Sequence, residues 1–145
     1  MKDKLLYFLL FIKSPKEISS ILPSPKFVVN EIIKNIDFKN SKCIVEYGPG
    51  TGSITTEILK RARKDAKIVC FETNKILCSY LRKNIKDKRL TIINDDAEKI
   101  MKYIKKYNFP KVNCVISTLP FSTLGSTKKY LIMKETRKAL KNKGR

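Results

Sequence analysis

The sequence predicts an α/β chain built on a doubly wound parallel sheet. Three observations support this. Short runs rich in β-branched residues alternate with stretches whose apolar residues recur at helical spacing. The first run, Cys43-Ile44-Val45, passes through Glu46 and Tyr47 into Gly48-Pro49-Gly50-Thr51-Gly52, and a helical pattern follows at once. The later runs also end in residues that can bind a ligand: Glu72, Asp95-Asp96 and Ser117. Right-handed crossovers would gather these tips at the carboxyl edge of one parallel sheet, where open α/β sheets bind ligands.

Length and composition narrow the function. A chain of 145 residues fits one domain. Lys and Arg number 32 against 13 Asp and Glu, a formal net charge of +19. Such a field attracts polyanions, with nucleic acid and anionic lipid headgroups as the natural candidates, and a lysine-rich surface is also a solubility device. No histidine is present, which removes histidine triads and histidine metal ligands. Cys43, Cys70, Cys78 and Cys114 show no C-x-x-C spacing and lie in apolar runs. They read as buried free thiols in a reducing compartment, so no metal site is expected.

The N-terminal part, residues 1–40, is expected to be an amphipathic and helical segment ahead of the sheet. Residues 5–12 (Leu-Leu-Tyr-Phe-Leu-Leu-Phe-Ile) are apolar on every side and flanked by Lys2, Lys4, Lys13 and Lys16. They are too short to span a bilayer, which needs about 20 residues. No small-x-small cleavage site follows them, which argues against a signal peptide. Two readings stay open: a cover for the domain core, or an anchor in a membrane interface with lysines reaching headgroups. Ser14-Pro15-Lys16-Glu17 has capping-box form and predicts a short helix through Ile18 and Ile21, stopped by Pro23. A second helix restarts at Ser24-Pro25 and ends near Asn35, with Phe27, Val28, Ile32, Ile33 and Ile36 on one face.

Residues 41–145 are expected to form the ligand-binding domain. The spacing predicts a helix over 54–63, a strand over 67–72, and a helix carrying Ile76, Leu77, Tyr80, Leu81 and Ile85. A strand over 90–94, a helix through Ile100 and Ile104, a strand over 111–117 and a helix over 127–140 follow, with Gly144 as a stop. The glycines at every second position supply φ > 0 or close backbone approach, and the loop delivers a ligand to a helix N-terminus. Glu72 stands where a carboxylate can accept from both hydroxyls of a ribose, or else it supplies a negative charge at the N-terminus of the next helix. Asp95 or Asp96 either accepts an adenine amino group or caps the following helix, and Asp96 can do both.

The loop differs from the dinucleotide pattern G-x-G-x-x-G and lacks the Gly-Lys-Ser/Thr of a phosphate-binding Walker loop. The combination of Glu46 to Gly52, Glu72, Asp95-Asp96-Ala97 and Ser117 to Phe121 resembles class I S-adenosylmethionine-dependent methyltransferases. Within that class it resembles two groups. Ribosomal RNA adenine dimethyltransferases end the fourth strand in Asn-Leu-Pro-Tyr/Phe, where the amide and the ring hold a planar adenine. Here the matching residues are Thr118-Leu119-Pro120-Phe121, without the amide. Small phospholipid N-methyltransferases carry E-x-G-P-G-T-G, a Ser-Gly-Leu-Pro strand end, and an amphipathic N-terminal helix with a Pro-Ser turn. This chain has Ser117-Thr118-Leu119-Pro120 and Leu22-Pro23-Ser24-Pro25, and is more similar to that group.

The resemblance implies a Rossmann-like class I methyltransferase fold with strand order 3-2-1-4, truncated after the fourth strand and lacking the last three strands of the family sheet. It implies S-adenosyl-L-methionine as cofactor. Glu46, Tyr47, Gly48, Gly50 and Gly52 would surround its methionine part, Glu72 its ribose, and Asp96 and Ala97 its adenine. Ser117, Leu119, Pro120 and Phe121 would face the acceptor. The implied activity is methyl transfer to an amine nitrogen of a phosphatidylethanolamine-type headgroup, by a cytoplasmic protein peripheral at the inner face of an anionic membrane. Two alternatives are an RNA adenine methyltransferase and a non-catalytic remnant that binds membrane or a partner chain. An open fourth strand would invite a second copy or a completing chain.

Overall fold

The structure, a computed structural model, describes residues 26–141. The apolar run 5–12, the helix expected through Ile18 and Ile21, and Gly144 lie outside the described residues. Strands β1 (Cys43–Tyr47), β2 (Lys67–Phe71), β3 (Leu90–Ile93) and β4 (Cys114–Ser117) form one parallel sheet in the order β3-β2-β1-β4. Helices α1 (Lys26–Ile33), α2 (Ser53–Arg61), α3 (Lys75–Asn84), α4 (Ile100–Tyr107) and α5 (Ser126–Lys141) alternate with the strands, and a 3₁₀ turn, Ala97–Lys99, precedes α4.

The pleat sorts the strand side chains onto two faces. In β1, Ile44 joins Val29 and Ile33 of α1, Ile54 and Ile58 of α2, Ile68 and Ile116 in one apolar cluster. Cys43, Val45 and Tyr47 point the other way, into a cluster with Phe71, Ile93, Ile100 of α4, and Ile132 and Ala139 of α5. Both faces of β1 and most of β2 are therefore buried, which is why these strands read as continuous apolar runs.

The register sets the site. Tyr47 pairs with Phe71 and Ser117, and Phe71 pairs with Ile93, so the four strands end in one row. Gly48, Glu72, Asn94 and Thr118 each stand one residue beyond that row. The loops that could bind a ligand thus begin side by side, as the order of the sequence motifs requires.

Several boundaries differ from the sequence expectation, each for a local reason. The fourth strand begins at Cys114 rather than Lys111. Asn113 turns its side chain across the sheet, and its Oδ1 accepts from the backbone N–H groups of Lys42 and Cys43 at 2.8 and 3.1 Å. The helix expected to reach residue 63 ends at Arg61. Ala62 is already extended, and the Arg89 guanidinium donates to the carbonyls of Leu59, Ala62 and Arg63. The strands expected to include Glu72 and Asn94 stop one residue earlier.

Candidate functional site

The glycine loop departs from ordinary L-residue backbone at three places. Gly48, Gly50 and Gly52 have φ of 70°, 59° and 87°. The space around them differs. A Cβ on Gly52 would lie 2.7 Å from Ile85 Cδ1 and 2.8 Å from Leu81 Cδ2, so this glycine lets the loop press onto α3. A Cβ on Gly50 would meet nothing within 4 Å. Gly50 therefore presents open backbone to a cavity of about 380 Å³ at the carboxyl edge.

Gly48, Gly50, Glu72, Asp96 and Ala97 line that cavity, together with Leu119 and Pro120. Glu72 is buried to 9% relative exposure, with its backbone held by Asn94, whose amide donates to the carbonyls of Glu72 and Thr73 at 2.9 and 3.0 Å. Its Oε1 accepts from Asn74 N–H at 2.9 Å, and its Oε2 receives a longer contact of 3.4 Å from Gly50 N–H. The carboxylate is thus fixed between the glycine loop and the start of α3.

The two aspartates separate into different roles. Asp95 accepts from Lys99 Nζ at 2.7 Å, Tyr103 Oη–H at 2.7 Å and Asp96 N–H at 2.8 Å. The Lys99 contact, aided by Tyr103, draws its carboxyl down to about 2. Asp96 caps the 3₁₀ turn through Glu98 N–H at 3.2 Å and forms an ion pair with Lys128 from the first turn of α5. Asp96 therefore caps the turn while it faces the cavity.

Glu46, Tyr47 and Gly52 do not line the cavity. The pleat turns Glu46 toward α2, where it is 0% exposed. Its Oε2 accepts from Thr55 Oγ1–H at 2.6 Å and Cys70 Sγ–H at 3.6 Å, while Oε1 has no hydrogen-bond partner. Burial pushes this carboxyl up to about 7, against the lowering effect of those two bonds. Tyr47 turns to the opposite face, where its hydroxyl and that of Thr136 share a 2.8 Å hydrogen bond.

The end of β4 divides the four residues expected at the acceptor. Leu119 and Pro120 border the first cavity. Ser117 and Phe121 border a second, more open groove of about 850 Å³ beside the edge strand, with Val115 of β4 and Tyr130 and Met133 of α5. Thr118 lines the first cavity as well. Its hydroxyl donates to Gly48 O at 2.6 Å, with Tyr47 O also near at 3.2 Å, and ties β4 to the glycine loop. Sequence reasoning missed Lys128 and the Asn74 and Leu77 wall of the first cavity. Asn74 and Leu77 follow Glu72 closely in sequence, where Asn74 reads as the N-cap of α3, whereas no local signal marks Lys128, which reaches the site from a distant element.

A cofactor with a sulfonium, a ribose and an adenine fits these residues. The loop is open at Gly50, a fixed carboxylate follows β2, and a second carboxylate follows β3. Among the described residues, no group of three or more His, Cys, Asp or Glu is placed to hold a metal ion.

Comparison with known proteins shows the family of the chain. Residues 15–136 match the family described as "Ribosomal RNA adenine dimethylase". The chain is 26% identical over 121 residues to an ornithine lipid N-methyltransferase of Singulisphaera acidiphila, covering 83% of this chain and 63% of that protein. It is 33% identical over 94 residues to ribosomal RNA small subunit methyltransferase A of Mesomycoplasma hyopneumoniae, covering 65% of this chain and 33% of that protein. The chain thus spans less than two thirds of either relative. Among solved structures it superposes on a precorrin 8w decarboxylase of Methanobacterium thermoautotrophicum with a TM-score of 0.61 at 20% identity, covering 84% of this chain and 61% of that one. That likeness concerns the fold alone.

Proposed function

The chain belongs to the ribosomal RNA adenine dimethylase family of S-adenosylmethionine-dependent methyltransferases, and from that premise we propose that it acts as an N-methyltransferase on an amine headgroup of a phospholipid. The acceptor class is a phosphatidylethanolamine-type lipid at an anionic membrane surface, on its cytoplasmic side. S-adenosylmethionine, when bound, supplies an electrophilic methyl group. The chain's residues bind and orient it. Backbone of Gly48 and Gly50 approaches the ligand, Glu72 accepts from the ribose hydroxyls, and Asp96 accepts from the adenine amino group beside Ala97. Glu46, Tyr47 and Gly52 hold the loop from behind.

One observation favours a lipid amine over an RNA base. In the resembling RNA enzymes an amide at the fourth-strand tip holds the planar adenine. The Thr118 hydroxyl at that position is turned onto Gly48 O at 2.6 Å. A hydroxyl has one proton to donate, so Thr118 has none left for an acceptor base while that bond stands. The strand tip is then a wall with Leu119 and Pro120 on the donor side and Ser117 and Phe121 on the other. An amine reaching over it meets apolar surroundings that strip its water and favour its neutral, nucleophilic form. Its proton leaves through Ser117, a backbone carbonyl of 117–119, or water.

Two supports are weaker. The lipid-modifying relative is similar over 83% of this chain. The excess of 19 positive charges suits an anionic surface, although it suits RNA as well. No helix among the described residues is long and apolar enough to cross a membrane. The test is transfer of labelled methyl from S-adenosylmethionine to phosphatidylethanolamine in mixed vesicles, set against transfer to small-subunit ribosomal RNA. Label in lipid is expected. Label in RNA with none in lipid would replace this reading with the RNA one, and label in neither would leave a non-catalytic binding role.

A further inference from the structure

We propose that Lys128 and Asp96 act together as the reader of the adenine edge, so that Lys128 determines base specificity in the donor site. The proposal rests on the donor-site reading above and goes beyond it by assigning a residue on α5. Lys128 and Asp96 both line the cavity of about 380 Å³ and form an ion pair with each other at its wall. The pair sets an acceptor, the carboxylate, beside a donor, the ammonium. An adenine edge shows the complementary pattern: an amino donor at N6 beside a ring-nitrogen acceptor. An Asn or Gln amide reads adenine through the same side-by-side pattern. Here two side chains from distant parts of the sequence supply the two halves.

The other acids of the cavity are less suited. Asp95 is occupied by Lys99, Tyr103 and the Asp96 N–H. Glu72 stands between the glycine loop and α3, at the ribose end. Asp96 spends Oδ1 on Glu98 N–H and has Oδ2 toward Lys128. A carboxylate oxygen can accept more than one hydrogen bond, so the N6 amino group can join Lys128 on Oδ2 without displacing it. The Lys128 side chain is 44% exposed, which leaves its ammonium room to turn toward a ring nitrogen while one of its protons stays on Asp96. Its remaining protons then serve that acceptor.

The experiment is a cycle of protein and ligand changes read by calorimetric titration. The ligands are S-adenosylhomocysteine and its 1-deaza and 7-deaza analogues, each lacking one ring acceptor. The proteins are the wild type, Lys128→Met and Lys128→Arg. For wild type, one deaza analogue should bind about ten-fold more weakly than the parent. Lys128→Met should bind the parent about ten-fold more weakly and show no further loss with that analogue, because both changes remove the same contact. Lys128→Arg, which keeps a donor, should restore the preference. A melting curve for each variant separates this from loss of α5 packing, which would weaken all three ligands equally. The proposal is overturned if Lys128→Met binds the parent as wild type does, or if losses from lysine and ring nitrogen multiply for both analogues. Failure of wild type to bind S-adenosylhomocysteine would overturn the donor-site reading itself, and this proposal with it.

Discussion

The two cavities on either side of the β4 tip are built differently. On the donor side, backbone and side chains fix each other: Asn94 holds Glu72, Glu72 meets the Asn74 and Gly50 N–H groups, and Thr118 ties the glycine loop to β4. On the other side, the groove runs along the edge strand, and Tyr130 and Met133 are 63% and 65% exposed. The first is a site whose shape exists before a ligand arrives. The second is an apolar surface, with Lys134, Arg137 and Lys138 at its margin. Preorganisation belongs where a cofactor must be aligned, whereas an adaptable apolar face suits an acceptor surface or a partner chain. Substitutions on the two sides should therefore have unequal effects.

The largest effect is expected at Gly52. Ala there combines φ of 87° with contacts of 2.7 and 2.8 Å to Ile85 and Leu81. Chemical denaturation should show a loss of about 3 kcal/mol, from αL strain plus overpacking. Gly50→Ala carries the αL strain without the clash. It should cost about 1 kcal/mol of stability but sharply reduce donor affinity, because its Cβ would occupy the face open to the cavity. Equal destabilisation by the two changes would contradict the division between a glycine that packs and a glycine that faces ligand.

The next effect concerns Glu46. Its folded value of about 7 lies above the ordinary 4.5, so the folded state holds its proton more tightly than the unfolded chain. The stability it contributes is present below pH 4.5 and is lost as pH rises through about 7. The loss is on the order of 3 kcal/mol. Glu46→Gln should flatten this part of the pH–stability curve and be more stable than wild type at pH 8. An unchanged curve would mean that the carboxylate is solvated or paired.

Glu72→Gln should weaken S-adenosylhomocysteine binding about ten-fold, since an amide accepts at one position where the carboxylate accepts at two. Calorimetry at fixed pH measures it. The smallest effect is expected on the groove side. Tyr130→Ser with Met133→Ser should change stability by less than about 0.5 kcal/mol and leave donor affinity unaltered. Co-sedimentation with anionic vesicles should nonetheless decrease. A large loss of stability would instead show that the groove belongs to the core.

Much of this architecture was legible because its signals are local. The β-branched runs from Cys43, Lys67 and Leu90 gave strands in the expected positions, and the glycine spacing gave three positive-φ turns. The strand order β3-β2-β1-β4 agrees with the expected 3-2-1-4 order. What stayed hidden depends on side chains that meet across the fold. Asn113 reaches β1 and shortens the fourth strand, a contact some 70 residues apart in sequence. The motif from Ser117 to Phe121 is continuous in sequence, yet the pleat and the Thr118 anchor distribute it over two cavities. The preference of Asp96 over Asp95 depends on Lys99 and Tyr103, one and two helical turns away, and on Lys128 from α5.

The most direct test of the central claim, that these four strands form a donor site, is calorimetric titration of the purified chain with S-adenosylmethionine and S-adenosylhomocysteine. Saturable binding in the micromolar range, weakened by Glu72→Gln, is the expected result. A folded chain that takes up neither ligand would contradict the claim.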